Sequence, residues 1–276
     1  MIKSLINKIY TSIFGYSFRR NIVRRFLNSL QPNFVKSFFA KYYWSKNDYK
    51  NKGNAKTIDI YDNEEARNSL DEKKLTIKTE VDHKEKSNRI FNQIKSNTIE
   101  IKKVLEFGCN YGVNLENFLK NEQLEVVGID LNKVVKNLEK KYSNYKGIIG
   151  DQKSLLKFQD LHFDVVFTSS VLDHFPDESE VVETIKQLKR ISKAVFLFEP
   201  YIEGVSGDVS YYHRFQVEQK FNLKKPLENN YIKFGRNSFF WDYDKHLHNL
   251  NYNFSKTSFP LHLSSLGPFY FAYHIK

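Results

Sequence analysis

One stretch constrains this chain more than any other: Val104-Leu105-Glu106-Phe107-Gly108-Cys109-Asn110-Tyr111-Gly112-Val113-Asn114-Leu115. Val104, Leu105 and Phe107 are strand formers, Gly108 and Gly112 flank a short turn, and Leu115, Phe118 and Leu119 recur at helical spacing. Glycine lets the backbone approach a ligand closely, and a helix start behind the turn offers free N–H groups. The pattern then repeats. Glu125–Asp130, Gly147–Asp151, Phe163–Thr168 and Ala194–Pro200 read as further strands, with helices over Lys133–Tyr142 and Glu180–Ile191 between them. Such alternation predicts an α/β fold with a doubly wound parallel sheet, and ligands bind at the carboxyl ends of its strands.

Those strand ends carry polar side chains. Asp130 closes the second strand 22 residues after Gly108, the distance at which a βαβ unit places an acid at ribose hydroxyls. Asp151 closes the third, and Ser169 and Ser170 follow the fourth. A nicotinamide site would carry Gly-x-Gly-x-x-Gly. Here the middle glycine is Asn110 and the last is Asn114, so a pyrophosphate is disfavoured. Glu106 ahead of the turn speaks for a cationic ligand. A phosphate-free cofactor with an amino acid and an adenosine fits better.

At this point four motifs stand in order: Val104–Leu115, Val127-Gly128-Ile129-Asp130, Gly150-Asp151-Gln152, and Phe163–Val166 running into Val171-Leu172-Asp173-His174-Phe175-Pro176-Asp177. Together they resemble class I S-adenosylmethionine-dependent methyltransferases, in the variant with Gly-Cys-Asn-x-Gly. The resemblance implies a Rossmann-like, seven-stranded, mostly parallel sheet, completed by an antiparallel pair over Asn253–Leu263 and Pro268–Ile275. It also implies S-adenosyl-L-methionine as cofactor. Gly108, Asn110 and Gly112 then pass the methionine part, with Glu106 near its ammonium. Asp130 and Leu131 lie at the ribose, Asp151 and Gln152 at the adenine, and Ser169 near the sulfonium.

The acceptor is less defined. No Asn/Asp-Pro-Pro-Tyr/Phe follows the fourth strand and no Pro-Cys pair is present, which sets aside two nucleic-acid-modifying classes. No metal-ligand trio stands out. A hydroxyl acceptor needs a base, for which His174 is the first candidate and His213 the second. Asp173, Glu199 and Asp208 are lesser ones. Tyr43, Tyr49, Tyr201, Tyr211, Arg214 and Trp241 are candidate acceptor-binding residues. An aromatic N-terminal cap with a Trp-Asp-Tyr helix is similar to methyltransferases of bacterial surface polysaccharides (capsule or O-antigen). That implies a sugar, a nucleotide-linked sugar or a phosphorylated metabolite. RNA is a rival acceptor and DNA is not expected; a non-catalytic partner subunit is a third reading, opposed by the intact cofactor motifs.

The formal charge is +11, concentrated at the start. Residues 1 to 47 hold nine Lys and Arg and no acid, so the body is close to neutral. Residues 1–87 read as a helical and loop cap and residues 88–276 as the enzyme domain. Apolar residues at helical spacing in residues 1–43 suit packing on the core, a peripheral membrane or oligomer contact, or an anionic substrate. The single cysteine, Cys109, fits a reducing cytoplasm and gives no disulfide framework. No apolar run approaches the ~18 residues a membrane span needs.

Overall fold

The computed structural model describes residues 41, 72–209, 219, 222, 239–259 and 270–276. Its centre is one seven-stranded sheet. In chain order the strands are β1 (Lys103–Phe107), β2 (Glu125–Asp130), β3 (Tyr145–Ile149), β4 (Phe163–Ser169), β5 (Ser192–Pro200), β8 (Phe254–Ser258) and β9 (Tyr270–Ile275). Between β5 and β8 lies a separate two-stranded pair, β6 (Gly207–Asp208) and β7 (Phe239–Phe240). The large sheet runs β3-β2-β1-β4-β5-β9-β8. Its first five strands are parallel; β9 is antiparallel to both β5 and β8. The order reverses between β1 and β4, and that is where a doubly wound sheet opens a ligand crevice.

Strand alternation builds a core on each face. Ala194, Phe196 and Phe198 of β5 point to one side, with Val165 and Phe167 of β4. That side is covered by Ile90 and Ile94 of helix α1 (Glu72–Asn97) and Phe118 of helix α2 (Glu116–Leu119). Val195 and Leu197 point to the other side, under Val181, Ile185 and Leu188 of helix α3 (Glu178–Arg190) and Leu247 of helix α4 (Tyr243–Asn249). Asp177 caps α3 by accepting from Ser179 N at 2.9 Å, and Asp242 caps α4 by accepting from Lys245 N at 3.0 Å.

The predicted five parallel strands and the antiparallel pair are present. Within the described residues the last two run over Phe254–Ser258 and Tyr270–Ile275. The helix expected behind the first glycine turn is only a 3₁₀ turn, Val113–Leu115, followed by the single turn of α2. Asn121 and Leu124 then close the chain back toward β2, through Asn121 N to Phe118 O and Leu124 N to Asn121 O. Lys133–Lys140 is likewise a 3₁₀ helix rather than an α-helix, capped by Asn132. Helix α1 is continuous across residues 87 and 88, with Ser87, Ile90 and Ile94 all buried.

No described helix is long and apolar enough to cross a membrane. Among the described residues, no group of His, Cys, Asp and Glu could hold a metal ion.

Candidate active site

The turn after β1 is built on left-handed backbone. Gly108 has φ 81°, Asn110 φ 47° and Gly112 φ 71°. Asparagine is among the few side chains that tolerate this region, which is how Asn110 stands where a glycine might be expected. Gly108 and Cys109 both donate to Ile129 O, at 2.8 and 3.2 Å, so the turn is tied to the end of β2. There Asp130 folds its carboxylate back over the turn. Oδ2 accepts from Asn110 N at 2.8 Å and Oδ1 from Asn132 N at 2.8 Å. A dianionic pyrophosphate would meet a carboxylate at this turn, and the Asn110 amide is already engaged. Burial pushes the Asp130 carboxyl up, while the two amides pull the other way.

Glu106 on β1 is fully buried. Its Oε1 accepts from Asn114 Nδ2 at 2.6 Å, and its Oε2 has no hydrogen-bond partner among the described residues. Burial raises its carboxyl to about 8. A buried acid with one unmatched oxygen beside the glycine turn is a receptor for a cation such as an amino-acid ammonium. Cys109 is also buried, and burial pushes its thiol well up, so it is not an activated nucleophile.

Asp151 follows β3 and caps the 3₁₀ turn Gln152–Lys157, accepting from Lys153 N at 3.0 Å. Its other oxygen faces Lys41 Nζ at 3.4 Å, and the same ammonium lies 3.2 Å from Glu180 at the start of α3. Gln152 Oε1 beside it is buried without a partner among the described residues.

On the other side of the crevice, β4 ends in Ser169, whose Oγ is buried and unmatched among the described residues. Ser170 takes φ 54°, and the chain then makes a 3₁₀ turn over Leu172–His174. Four contacts hold this segment. Ser170 N donates to Phe198 O at 3.1 Å, and Ser170 Oγ lies 2.9 Å from Tyr270 Oη. Trp241 Nε1 donates to Leu172 O at 3.2 Å. Val171 N donates to both carboxylate oxygens of Glu199, each at 3.2 Å. The turn carries Asp173, buried, and His174, partly buried, with His174 Nε2 3.8 Å from Asp173 Oδ1. Burial raises both the Asp173 and Glu199 carboxyls, and Asp173 raises Glu199 further by like charge.

Residues 105–195 match the protein family described as "Methyltransferase domain". The match covers about a third of the chain and identifies these residues as a methyltransferase domain. A ubiquinone biosynthesis O-methyltransferase from Pasteurella multocida is 26% identical over 116 residues, or 37% of this chain and 48% of that protein. The chain thus spans about half the length of that relative. Among solved structures, a SAM-dependent methyltransferase from Archaeoglobus fulgidus has a TM-score of 0.47 at 18% identity, covering 70% of this chain and 94% of the other. The 1,6-didemethyltoxoflavin-N1-methyltransferase of Burkholderia thailandensis, with 1,6-didemethyltoxoflavin and S-adenosylhomocysteine bound, has a TM-score of 0.48 at 11% identity, covering 70% and 77%.

Within the methyltransferase domain, Glu106, Gly108, Asn110, Gly112, Asp130, Leu131, Asp151, Gln152, Ser169 and His174 all lie at the carboxyl ends of β1 to β4 or in the turns that follow. Tyr43, Tyr49, Tyr211, His213 and Arg214 lie outside the described residues. Tyr201 and Trp241 are committed to the fold. The Tyr201 ring carries the Lys256 ammonium 3.6 Å from its centroid, and Trp241 stacks on Phe239 while donating to Leu172. Asp164 is structural: its carboxylate accepts from Lys102 N, Lys103 N and Lys193 Nζ at 2.8, 2.9 and 2.7 Å. Sequence reasoning missed the Lys41 bridge and the grip of Glu199 on Val171. No local pattern announces either, because the partners are 110 and 28 residues apart.

Proposed function

We propose that the protein transfers a methyl group from S-adenosylmethionine to a hydroxyl of a small polar acceptor. One observation supports it most: the residues that would hold this cofactor have the oxygens it needs. Glu106 Oε2 is buried and unmatched among the described residues, as an ammonium requires, and Asp130 presents its carboxylate at the glycine turn. Ser169 Oγ is likewise buried and unmatched among the described residues. The residues present fit the cofactor, which supplies an electrophilic methyl carbon on a sulfonium.

The chain's own part is positioning and proton removal. Methyl transfer is an in-line displacement, so holding the acceptor oxygen against the methyl carbon supplies much of the rate. Asp130 and Glu106 orient the donor from opposite ends. His174 stands after β4 on the turn that also carries Asp173, and we assign it to take the hydroxyl proton as the oxygen attacks. The Pasteurella multocida relative is an O-methyltransferase, which supports an O-methyl product.

The acceptor side of the crevice holds the buried acids Asp173 and Glu199. A sugar of a surface polysaccharide, free or nucleotide-linked, is our preferred class. A phosphorylated acceptor, RNA or a membrane surface would draw on the cations of residues 1–47. Lys41, the described one, is already paired.

The test is calorimetric titration of S-adenosylhomocysteine, followed by a mass-shift screen with S-adenosylmethionine over sugars, nucleotide-sugars and phosphorylated metabolites. A gain of one methyl on a hydroxyl of one class is expected. Cofactor binding with no transfer to any class, and steeply salt-dependent RNA binding, would move the assignment to RNA.

A further inference from the structure

The carboxylate of Glu199 is the unexplained group in this site. Glu199 is the penultimate residue of β5 and is 0 % exposed. Burying a carboxylate is unfavourable unless something in the fold uses its charge. Here both oxygens converge on one backbone amide, Val171 N, each at 3.2 Å, and the Leu172 amide also favours the charged form.

Val171 in turn is the residue against which Gly108 is packed. A Cβ placed on Gly108 would stand 2.3 Å from Val171 Cγ2 and 2.6 Å from its Cβ. Gly108 is therefore bare on the side that faces Val171, and not only for the sake of a ligand. A chain of direct contacts runs from Glu199 through Val171 to the cofactor turn. The same turn, two and three residues on, carries Asp173 and His174. Asp173 is 7 % exposed, and its Oδ1 has no hydrogen-bond partner among the described residues. Burial and the charges of Glu199 and Asp173 push the phenol of Tyr243 on α4 up, while the Lys86 ammonium of α1 pulls the Asp173 carboxyl down against burial.

We propose that Glu199 is a positioning residue: its carboxylate fastens the Ser170–His174 turn onto the Gly108 turn, so that the donor and acceptor sides are set as one unit. The proposal rests on the methyltransferase reading only for its purpose; the fastening itself is a property of the apo protein. Because Glu199 and Asp173 are buried together, ionising one opposes ionising the other.

The experiment compares the full-length wild-type protein with Glu199→Gln and with Glu199→Asp. Hydrogen exchange is read at the Val171 and Leu172 amides, with Val165 and Val166 of β4 as internal controls. Exchange at Val171 and Leu172 is expected to speed up by about tenfold or more in both variants, with the controls unchanged. S-adenosylhomocysteine affinity should fall by about threefold to tenfold. The melting temperature of the wild type should decline from about pH 4.5 to 8, and less steeply in Glu199→Gln. A residue that merely packed would lower the melting curve equally at every pH. Normal protection of Val171 in whichever variant folds overturns the proposal, as does a Glu199→Gln melting profile parallel to that of the wild type. A wild-type protein that does not bind S-adenosylhomocysteine overturns the cofactor reading instead, and the exchange result still decides Glu199.

Discussion

At the scale of single residues, the proposed function assigns Asp130 to donor binding and His174 to the chemistry. The Asp130 carboxylate makes two charged hydrogen bonds, from Asn110 N of the glycine turn and from Asn132 N, and is the residue we assign to the ribose. Asp130→Ala is expected to weaken S-adenosylhomocysteine binding by about a hundredfold, since each charge-assisted bond contributes about 1.5–3 kcal/mol. Unchanged affinity by calorimetry would refute the assignment. His174→Ala should leave that affinity within about twofold while lowering turnover of the identified acceptor by about 10²–10⁴-fold. If turnover persists, the base is another residue, and His213 is the next to substitute.

At the scale of elements, the two turns that meet over the sheet deserve the sharper test. Gly108 has φ 81° and Val171 lies where its side chain would go. Gly108→Ala is expected to destabilise the protein by about 2–4 kcal/mol, from backbone strain and overpacking together, and to weaken cofactor binding in the same variant. Urea denaturation with a wild-type midpoint would show that Val171 can move aside. Much of this architecture was legible in the sequence. The five strands announced themselves because parallel strands buried on both faces are short apolar runs, as in Val126–Ile129 and Val195–Phe198. Asp130 and Asp151 were legible because a strand end followed by an acid has a fixed spacing in a βαβ unit. The helix behind Gly112 was overestimated: Leu115, Phe118 and Leu119 have helical spacing, but the turn at Asn121 stops it after one turn. Trp241 read as a ligand-side aromatic because its indole N–H partner, the Leu172 carbonyl, is 69 residues away. Contacts of that kind depend on topology and leave no periodic trace.

At the scale of the whole molecule, three buried acids set the response to pH. Glu106 and Glu199 are each pushed up to about 8, and Asp173 to about 7. A carboxyl whose folded pKa is raised keeps its proton longer in the folded state than in the unfolded one. Folding is then favoured below the unfolded pKa near 4.5, and this part of the stability is lost as pH rises toward about 8. The ligand-free protein should therefore melt at falling temperatures across that window, where most proteins are flat. Glu106→Gln should shallow the slope, and S-adenosylhomocysteine should offset it by favouring the ionised Glu106. A flat profile in differential scanning calorimetry would mean that these groups are hydrated or paired in solution.

The place of β9 has a consequence for biosynthesis. It lies between β5 and β8, yet residues 270–275 emerge last of all the strands. The β5 edge, whose Ala194–Phe198 stretch is entirely buried in the finished protein, must wait for its neighbour. At about 5–20 residues per second, the ribosome leaves that hydrophobic edge unpaired for about 4–15 s after β5 is made. The nascent chain thus spends its most aggregation-prone interval with its cofactor strands already formed, and a translation arrest upstream of Tyr270 would strand it there.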